Sequence, residues 1–228
     1  MLVLAVKANN AANRRRFAGK GVVHQVSRCN TFRMLNKKTI SILIVVLTSS
    51  VAFSQSAPEY TGDGQLKVPA NYREWIYLTS GFDMSYNPAM QMGHHMFDNV
   101  FVNPEAYKAF LETGTWPDKT MLVLENRGAE GKGSINQNGN YQGTDRMGLE
   151  VHVKDEKRFP DKWAFFGFGD AKTAKMVPLE ASCYSCHAAH AAVDRTFVQF
   201  YPTLLPIAQS KGTLSPSYLK ESTKPAQK

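Results

Sequence analysis

Apolar residues recur at every second position over short stretches of the chain, which is the pattern of β-strands. Residues 149–154 read Leu-Glu-Val-His-Val-Lys, an alternation that predicts a strand with one buried and one exposed face. The mostly apolar runs 97–102, 120–125 and 163–168 predict three further strands, and 72–78 predicts a short amphipathic helix or strand.

Two helices are predicted among these strands. The first begins at Asn103 and Pro104, because Asn caps free N–H groups and a Pro in the first turn needs no hydrogen bond of its own; Gly114 ends it. The second covers residues 181–201 and is ended by Pro202.

The connecting segments are rich in residues that favour turns. Residues 80–96 predict a loop that contains several methionines, and residues 127–146, with five glycines, predict a flexible loop. The Lys-, Ser- and Pro-containing residues 210–228 predict a polar, frayed tail. Strands with short turns and a few helices predict an α+β fold with an antiparallel sheet.

Residues 1–54 have the composition of a targeting leader. A Lys-Lys pair at 37–38 precedes the apolar run 40–53, and small residues flank Phe53, which is the layout of a cleavable signal peptide. The run has 14 residues, fewer than the ~20 that span a bilayer. We therefore expect a periplasmic or secreted protein whose mature form has no membrane attachment.

The leader also accounts for the basic charge. It holds nine of the 27 basic residues and none of the 19 acidic ones, so the remainder, with 18 basic and 19 acidic residues, has a net charge of −1 rather than +8. This balance disfavours a nucleic-acid partner. Met34 would begin a signal peptide by itself, so residues 1–33, which include Cys29, can result from a mis-assigned start codon.

The two remaining cysteines, Cys183 and Cys186, form with His187 the motif C-x-x-C-H, which is the sequence of covalent haem attachment. On a helix, the two thiols face one porphyrin edge and the histidine is an axial iron ligand. A zinc site would need four ligands, and a thioredoxin-type dithiol would open a helix early in a βαβ unit. The motif therefore predicts one haem c with its iron, on the C-terminal helix of a domain spanning 55–209.

With this motif in place, the chain resembles the cytochrome P-460 family, which includes the cytochromes c′-β, over about residues 60–205. The stretches that carry the resemblance are 71–75, 102–107, 148–155, 163–165 and 197–202. The resemblance implies a sheet-rich homodimer. It also implies a five-coordinate haem, with His187 on one side of the iron and an open pocket on the other.

One lysine separates two chemistries in that family. The P-460 enzymes oxidise hydroxylamine and carry a lysine cross-linked to the porphyrin; the matching position here is Leu124, with Lys119 five residues earlier. The c′-β members lack the cross-link and bind nitric oxide. We therefore expect a protein that binds nitric oxide or a related small nitrogen-oxide ligand and has redox activity on it. The alternative is a hydroxylamine or peroxide oxidoreductase.

Two further residues are candidates for functional side chains on the open side of the haem iron. Glu150 matches the family's proton acceptor and is the candidate catalytic residue, since a carboxylate there could take protons from a bound N–H or O–H group. The alternation of residues 149–154 equally allows Glu150 to face solvent. Phe97, with Phe101, could cover the iron and is a candidate cofactor contact.

A sixth protein ligand would close the iron and make the protein an electron carrier with an unknown redox partner. The candidate residues cluster in one loop and are Met84, Met90, Met92, His94, His95 and Met96.

Overall fold

The computed structural model describes residues 56–85 and 93–223, so the predicted leader and Met90 and Met92 lie outside the described residues. A five-stranded antiparallel sheet forms the centre, in the order β2-β3-β4-β5-β6, and a separate two-stranded ribbon pairs β1 with β7. The strands are β1 (Leu66–Lys67), β2 (Ile76–Phe82), β3 (Met96–Val102), β4 (Met121–Gly131), β5 (Asn140–Lys154), β6 (Trp163–Gly167) and β7 (Thr173–Ala174).

Within residues 56–85 and 93–223, four α-helices complete the α+β fold, and the predicted α+β class is confirmed. They are α1 (Pro104–Thr113), α2 (Ser182–His190), α3 (Leu205–Lys211) and α4 (Pro216–Ser222), and two 3-10 turns occupy Tyr72–Glu74 and Val198–Phe200. Among the described residues, no helix has the length and apolar character needed to cross a membrane.

Both faces of the sheet are covered, each by its own apolar cluster. Phe101, Val123 and Val151 pack on the first face. Val102, Leu122 and Trp163 pack on the second, together with side chains from α1, α3 and the segment that follows α2. The prediction of a half-buried strand at 149–154 holds only in part, because His152 and Lys154 on the predicted exposed side are buried, whereas Glu150 is exposed.

The predicted flexible loop at 127–146 is shorter than expected, because residues 127–131 and 140–146 form strand and the loop is limited to 132–139. The two strand segments continue β4 and β5 into a long hairpin that pairs as far as Gly131 opposite Asn140. Gly143 reflects close packing, since a Cβ there would lie 2.3 Å from Oε1 of Glu130 on the neighbouring strand, whereas Gly139 adopts φ +81° with no atom within 4 Å of its Cβ.

Helix α1 has the predicted limits, with one local difference. Gly114 ends it with φ +74°, the left-handed conformation in which glycine is favoured. The Asn103 side chain makes no capping bond; its Oδ1 instead accepts the backbone N–H of Met121 at 2.8 Å, which attaches the helix start to β4.

The prediction of one long helix over 181–201 is wrong. Helix α2 ends at His190, and the chain leaves it through an extended Ala191. Asp194 and Arg195 then adopt positive φ angles of 46° and 65°, which reverses the chain direction. This turn brings the chain back against α2 and supplies a backbone contact to the motif histidine.

Residues 210–223 belong to the folded domain, so the predicted tail boundary at 210 is also wrong. Ser215 caps α4 by accepting the N–H of Tyr218, and its hydroxyl donates to the carbonyl of Ala191 at 2.7 Å. Glu221 pairs with the ring of His190 at 2.9 Å. Helix α4 therefore packs against the helix that carries the motif.

Candidate functional site

A cavity of about 490 Å³ lies on the second face of the sheet, between strands β2–β6 and the segment after α2. Its sheet side is lined by Asp98, Val100, Leu122, Leu124, Asn126 and Glu150. Its other side is lined by His187, Thr196, Phe197, Phe200 and Tyr201. The cavity therefore brings the motif histidine opposite the central strands.

Helix α2 places the three motif residues on one face. Cys183, Cys186 and His187 follow the i, i+3, i+4 spacing, which aligns side chains along a helix. Both cysteines are free and half-buried, and burial is the largest cause that raises the pKa of each thiol. The two sulfurs are thus uncharged at neutral pH and available for covalent attachment.

The ring of His187 is oriented by a backbone carbonyl. Its Nδ1 lies 2.7 Å from the carbonyl oxygen of Arg195, and since a carbonyl only accepts, Nδ1 carries the hydrogen. Burial lowers the pKa of His187, so the ring is neutral and Nε2 keeps its lone pair. A histidine held in this way at Nδ1 has the chemistry of a metal ligand through Nε2.

Aromatic rings enclose His187 on several sides. The ring centroids of Phe197 and Phe165 lie 4.2 Å and 4.6 Å from that of His187, and His152 lies at 5.1 Å in an edge-to-face arrangement. Together with the Nδ1 hydrogen bond, these contacts restrict rotation of the imidazole.

His152 is the clearest sign that the cavity receives a polar group. Its side chain is only 8% exposed, it lines the cavity, and it stacks on Phe165 at 4.0 Å. Burial is the largest cause that lowers the pKa of His152 well below the usual value, so the ring is neutral. In the described part of the chain, only the Nε2 of His152 and the hydroxyl of Tyr60 are buried without a hydrogen-bond partner. A buried polar atom without a partner beside a cavity fits a site for a bound cofactor.

The turn that carries the Arg195 carbonyl is held by residues that the sequence did not single out. Lys154 donates to the Asp194 carboxylate at 2.6 Å and to the carbonyl of Trp116 at 2.7 Å. Trp163 donates from Nε1 to the same carboxylate at 3.2 Å. No local sequence signal links Lys154 to Asp194, because the two residues meet only in the folded chain.

Glu150 lies on the inner face of β5 and lines the cavity, directly opposite Leu124 on β4. Glu150 is itself exposed, whereas His152 and Lys154, on the same side of the strand, are 8% and 7% exposed, so Glu150 both lines the cavity and remains accessible to solvent. Burial raises the pKa of Glu150, and the charge of Asp98 adds to that effect.

Asp98 is a second acid in the same cavity that sequence reasoning missed. Asn126 donates to its Oδ1 at 2.5 Å, and burial is the main cause that raises its pKa. The alternation Met96, Asp98, Val100 could have identified it, since all three line the cavity.

Phe97 faces the other way. Its ring packs against Phe82 at 5.0 Å, and Phe97 is not among the residues that line the cavity, so its placement does not support a cofactor contact. Phe101 likewise belongs to the apolar cluster on the first face. The rings nearest His187 come from β6 and the segment after α2 instead, because β3 presents its even-numbered residues inward.

The candidate sixth ligands separate into two groups. Met84 and Met96 line the cavity, whereas the ring of His95 pairs with Asp83. Lys119 pairs with Asp155 at 2.6 Å and does not line the cavity. Over residues 56–85 and 93–223, no three His, Cys, Asp or Glu side chains gather into a metal cluster.

The family model described as Cytochrome P460 matches residues 69–198, which is more than half of the chain. No curated protein matches the chain.

Proposed function

The chain belongs to the cytochrome P460 family, and on that premise we propose that it carries one haem c, attached covalently through Cys183 and Cys186, with His187 as an axial iron ligand. The observation that carries the proposal is the hydrogen bond from His187 Nδ1 to the Arg195 carbonyl at 2.7 Å, which leaves Nε2 as the basic nitrogen of a fixed, neutral ring beside a cavity.

The thiols and the histidine have separate roles in this proposal. Cys183 and Cys186 lie one turn apart on α2, so both can form thioether bonds to one edge of a porphyrin. The bound iron supplies a coordination position for a small ligand and the capacity to exchange electrons. His187 and the rings around it keep water from that side and fix the ligand direction.

Residues on the sheet side of the cavity, opposite His187, determine which ligand binds. Val100, Leu122 and Leu124 offer no hydrogen bonds, which suits a small neutral molecule such as nitric oxide or a related nitrogen oxide. We propose such a ligand, bound at an iron with no sixth protein ligand, with redox activity on it. We also propose export to the periplasm after removal of residues 1–54, and assembly as a homodimer.

Hydroxylamine oxidation is the second candidate, and Glu150 is the observation that favours it. A carboxylate inside the cavity, with a pKa raised by burial, could accept a proton from a bound N–H or O–H group. Leu124 opposes this candidate, because it stands on the strand where the resemblance expects a cross-linking lysine, and leucine forms no cross-link.

Electron transfer is the third candidate. Met84 and Met96 both line the cavity, and thioether sulfur is a known axial ligand of haem iron. Ligation by either residue would close the iron to exogenous ligands.

Electron paramagnetic resonance of the resting ferric protein separates these candidates. A high-spin signal that changes on addition of nitric oxide supports the open site. A low-spin signal that nitric oxide leaves unchanged, and that becomes high-spin in Met84→Leu or Met96→Leu, would replace it with the electron carrier. Glu150→Gln then tests the second candidate, since loss of hydroxylamine turnover with nitric oxide binding retained identifies Glu150 as the base.

A further inference from the structure

Two carboxylates line the cavity described above. Glu150 on β5 and Asp98 on β3 both project to the second face of the sheet, with β4 between them. No Lys or Arg side chain lines this cavity among the described residues. The undescribed segment 86–92 contains no charged residue in its sequence.

The basic residues around the cavity are engaged elsewhere. Arg73 and Arg127 both bind Glu125, on the first face of the sheet. Arg195 pairs with Asp161 at 3.6 Å, and Lys154 pairs with Asp194 at 2.6 Å. Asp83 adds a further negative charge, and the ring of His95 pairs with it. The acid pair is therefore not neutralised from within the cavity.

Asp98 is held in place and kept electrostatically coupled to Glu150. Asn126 donates to Oδ1 of Asp98 at 2.5 Å and so fixes this carboxylate at the cavity. The charge of Asp98 contributes to the raised pKa of Glu150. Because two coupled carboxyl groups take up their protons one after the other, the pair retains negative charge after the first protonation.

We propose that Asp98 and Glu150 act together as an electrostatic filter that excludes anions from the ligand cavity and admits neutral or cationic small molecules. This inference rests on the proposed function, since it concerns ligands of the same site. Its physical basis is repulsion inside a cavity of the protein, where a unit charge acts through a lower effective dielectric constant than in water. His152, buried beside this cavity with its Nε2 unpartnered, is independent support that the cavity receives a bound group.

Anion affinity of the ferric holoprotein tests the filter. Thiocyanate is the probe, because it carries no proton at neutral pH and its binding therefore does not depend on a proton acceptor. We expect Asp98→Asn and Glu150→Gln each to lower the thiocyanate dissociation constant on the order of tenfold, and the double variant to lower it further. Asp98→Glu, which keeps the charge, should stay closer to the parent than to Asp98→Asn.

A matched control removes an acid outside the cavity. Asp170 has a fully exposed side chain, so Asp170→Asn makes the same change in net charge without altering the cavity. Nitric oxide binding, measured on every variant, shows that the cavity is folded and open. If Asp98→Asn and Asp170→Asn bind thiocyanate within twofold of each other while nitric oxide binds to all, the filter is refuted and the proposed function stands. If the parent binds neither probe, the proposed open site fails and the filter fails with it.

Discussion

Replacement of Glu125 by glutamine removes the most strongly perturbed acid in the domain. Its side chain is 1% exposed on the first face of the sheet, directly after cavity residue Leu124. Arg73 binds it at 2.5 Å, Arg127 donates from Nε at 2.6 Å, and Tyr72 donates at 2.5 Å. The carboxylate thus attaches the 3-10 turn at residues 72–74 to the strand that forms the back of the ligand cavity.

The size of its contribution follows from its pKa. Burial alone would raise the pKa of Glu125, but the hydrogen bonds from Arg127, Arg73 and Tyr72 outweigh it and lower the value from 4.5 to about 2. A shift of this size corresponds to about 3 kcal/mol in favour of the folded state with Glu125 ionised. Because the pKa in the folded state is lower than in the unfolded state, this stabilisation is complete above about pH 4.5 and is lost as the pH falls toward 2.

Urea unfolding of the parent and Glu125→Gln between pH 7 and pH 2 measures how much ionised Glu125 contributes to the free energy of unfolding. The two free energies of unfolding should differ by about 3 kcal/mol from pH 5 to pH 7 and converge near pH 2. Glu130→Gln, an exposed acid on the same strand, is the control and should leave the parent's pH dependence unchanged. A constant difference between parent and Glu125→Gln at all pH values would refute the reasoning.

Three further predictions concern the site and its support. Lys154→Met removes the donor to Asp194 and Trp116. It should lower the free energy of unfolding by about 1–3 kcal/mol and broaden the axial-ligand signal of the ferric protein. Parent-like values of both would contradict the role of the Asp194–Arg195 turn. Gly114→Ala places a Cβ 2.7 Å from the Cβ of Lys211 at φ +74°, and it should lower the free energy of unfolding in urea by about 1–3 kcal/mol. The control Gly62→Ala, with no atom within 4 Å of its Cβ, should lower it by under about 1 kcal/mol. Tryptic digestion of the holoprotein should yield a haem peptide that contains residues 183–187 and nothing from 119–127, because Leu124 forms no cross-link; a joined peptide would instead favour hydroxylamine oxidation.

The sequence predicted the elements whose signals are local. The strands at 97–102 and 163–168 and helix α1 lie within a residue or two of their observed limits, because alternation, capping residues and Gly114 act within a few positions. The motif residues of α2 could be identified from their spacing alone. The loop predicted from the glycines of 127–146 was too long. A glycine that avoids a clash across a hairpin, such as Gly143, looks the same in sequence as one that makes a loop flexible.

The parts of the fold and site that the sequence did not predict depend on contacts between residues that are distant in sequence. The end of α2 at His190 follows from the turn at Asp194 and Arg195, which Lys154 and Trp163 hold from two strands of the sheet. The inward direction of Glu150 follows from the helices that cover the second face, and alternation alone leaves that choice open. The alternation of Met96, Asp98 and Val100 could have pointed to Asp98, but only the register shows that β3 borders the same cavity as Glu150.

Covalent haem attachment at α2 is the central claim, and extraction with acidified acetone followed by mass spectrometry tests it most directly. The account predicts that the pigment stays with the precipitated polypeptide, and that the intact mass exceeds that of the polypeptide by one haem. It also predicts that a Cys183→Ala, Cys186→Ala double variant loses this added mass. Haem that passes into the solvent, or a parent protein with no added mass, would contradict the claim.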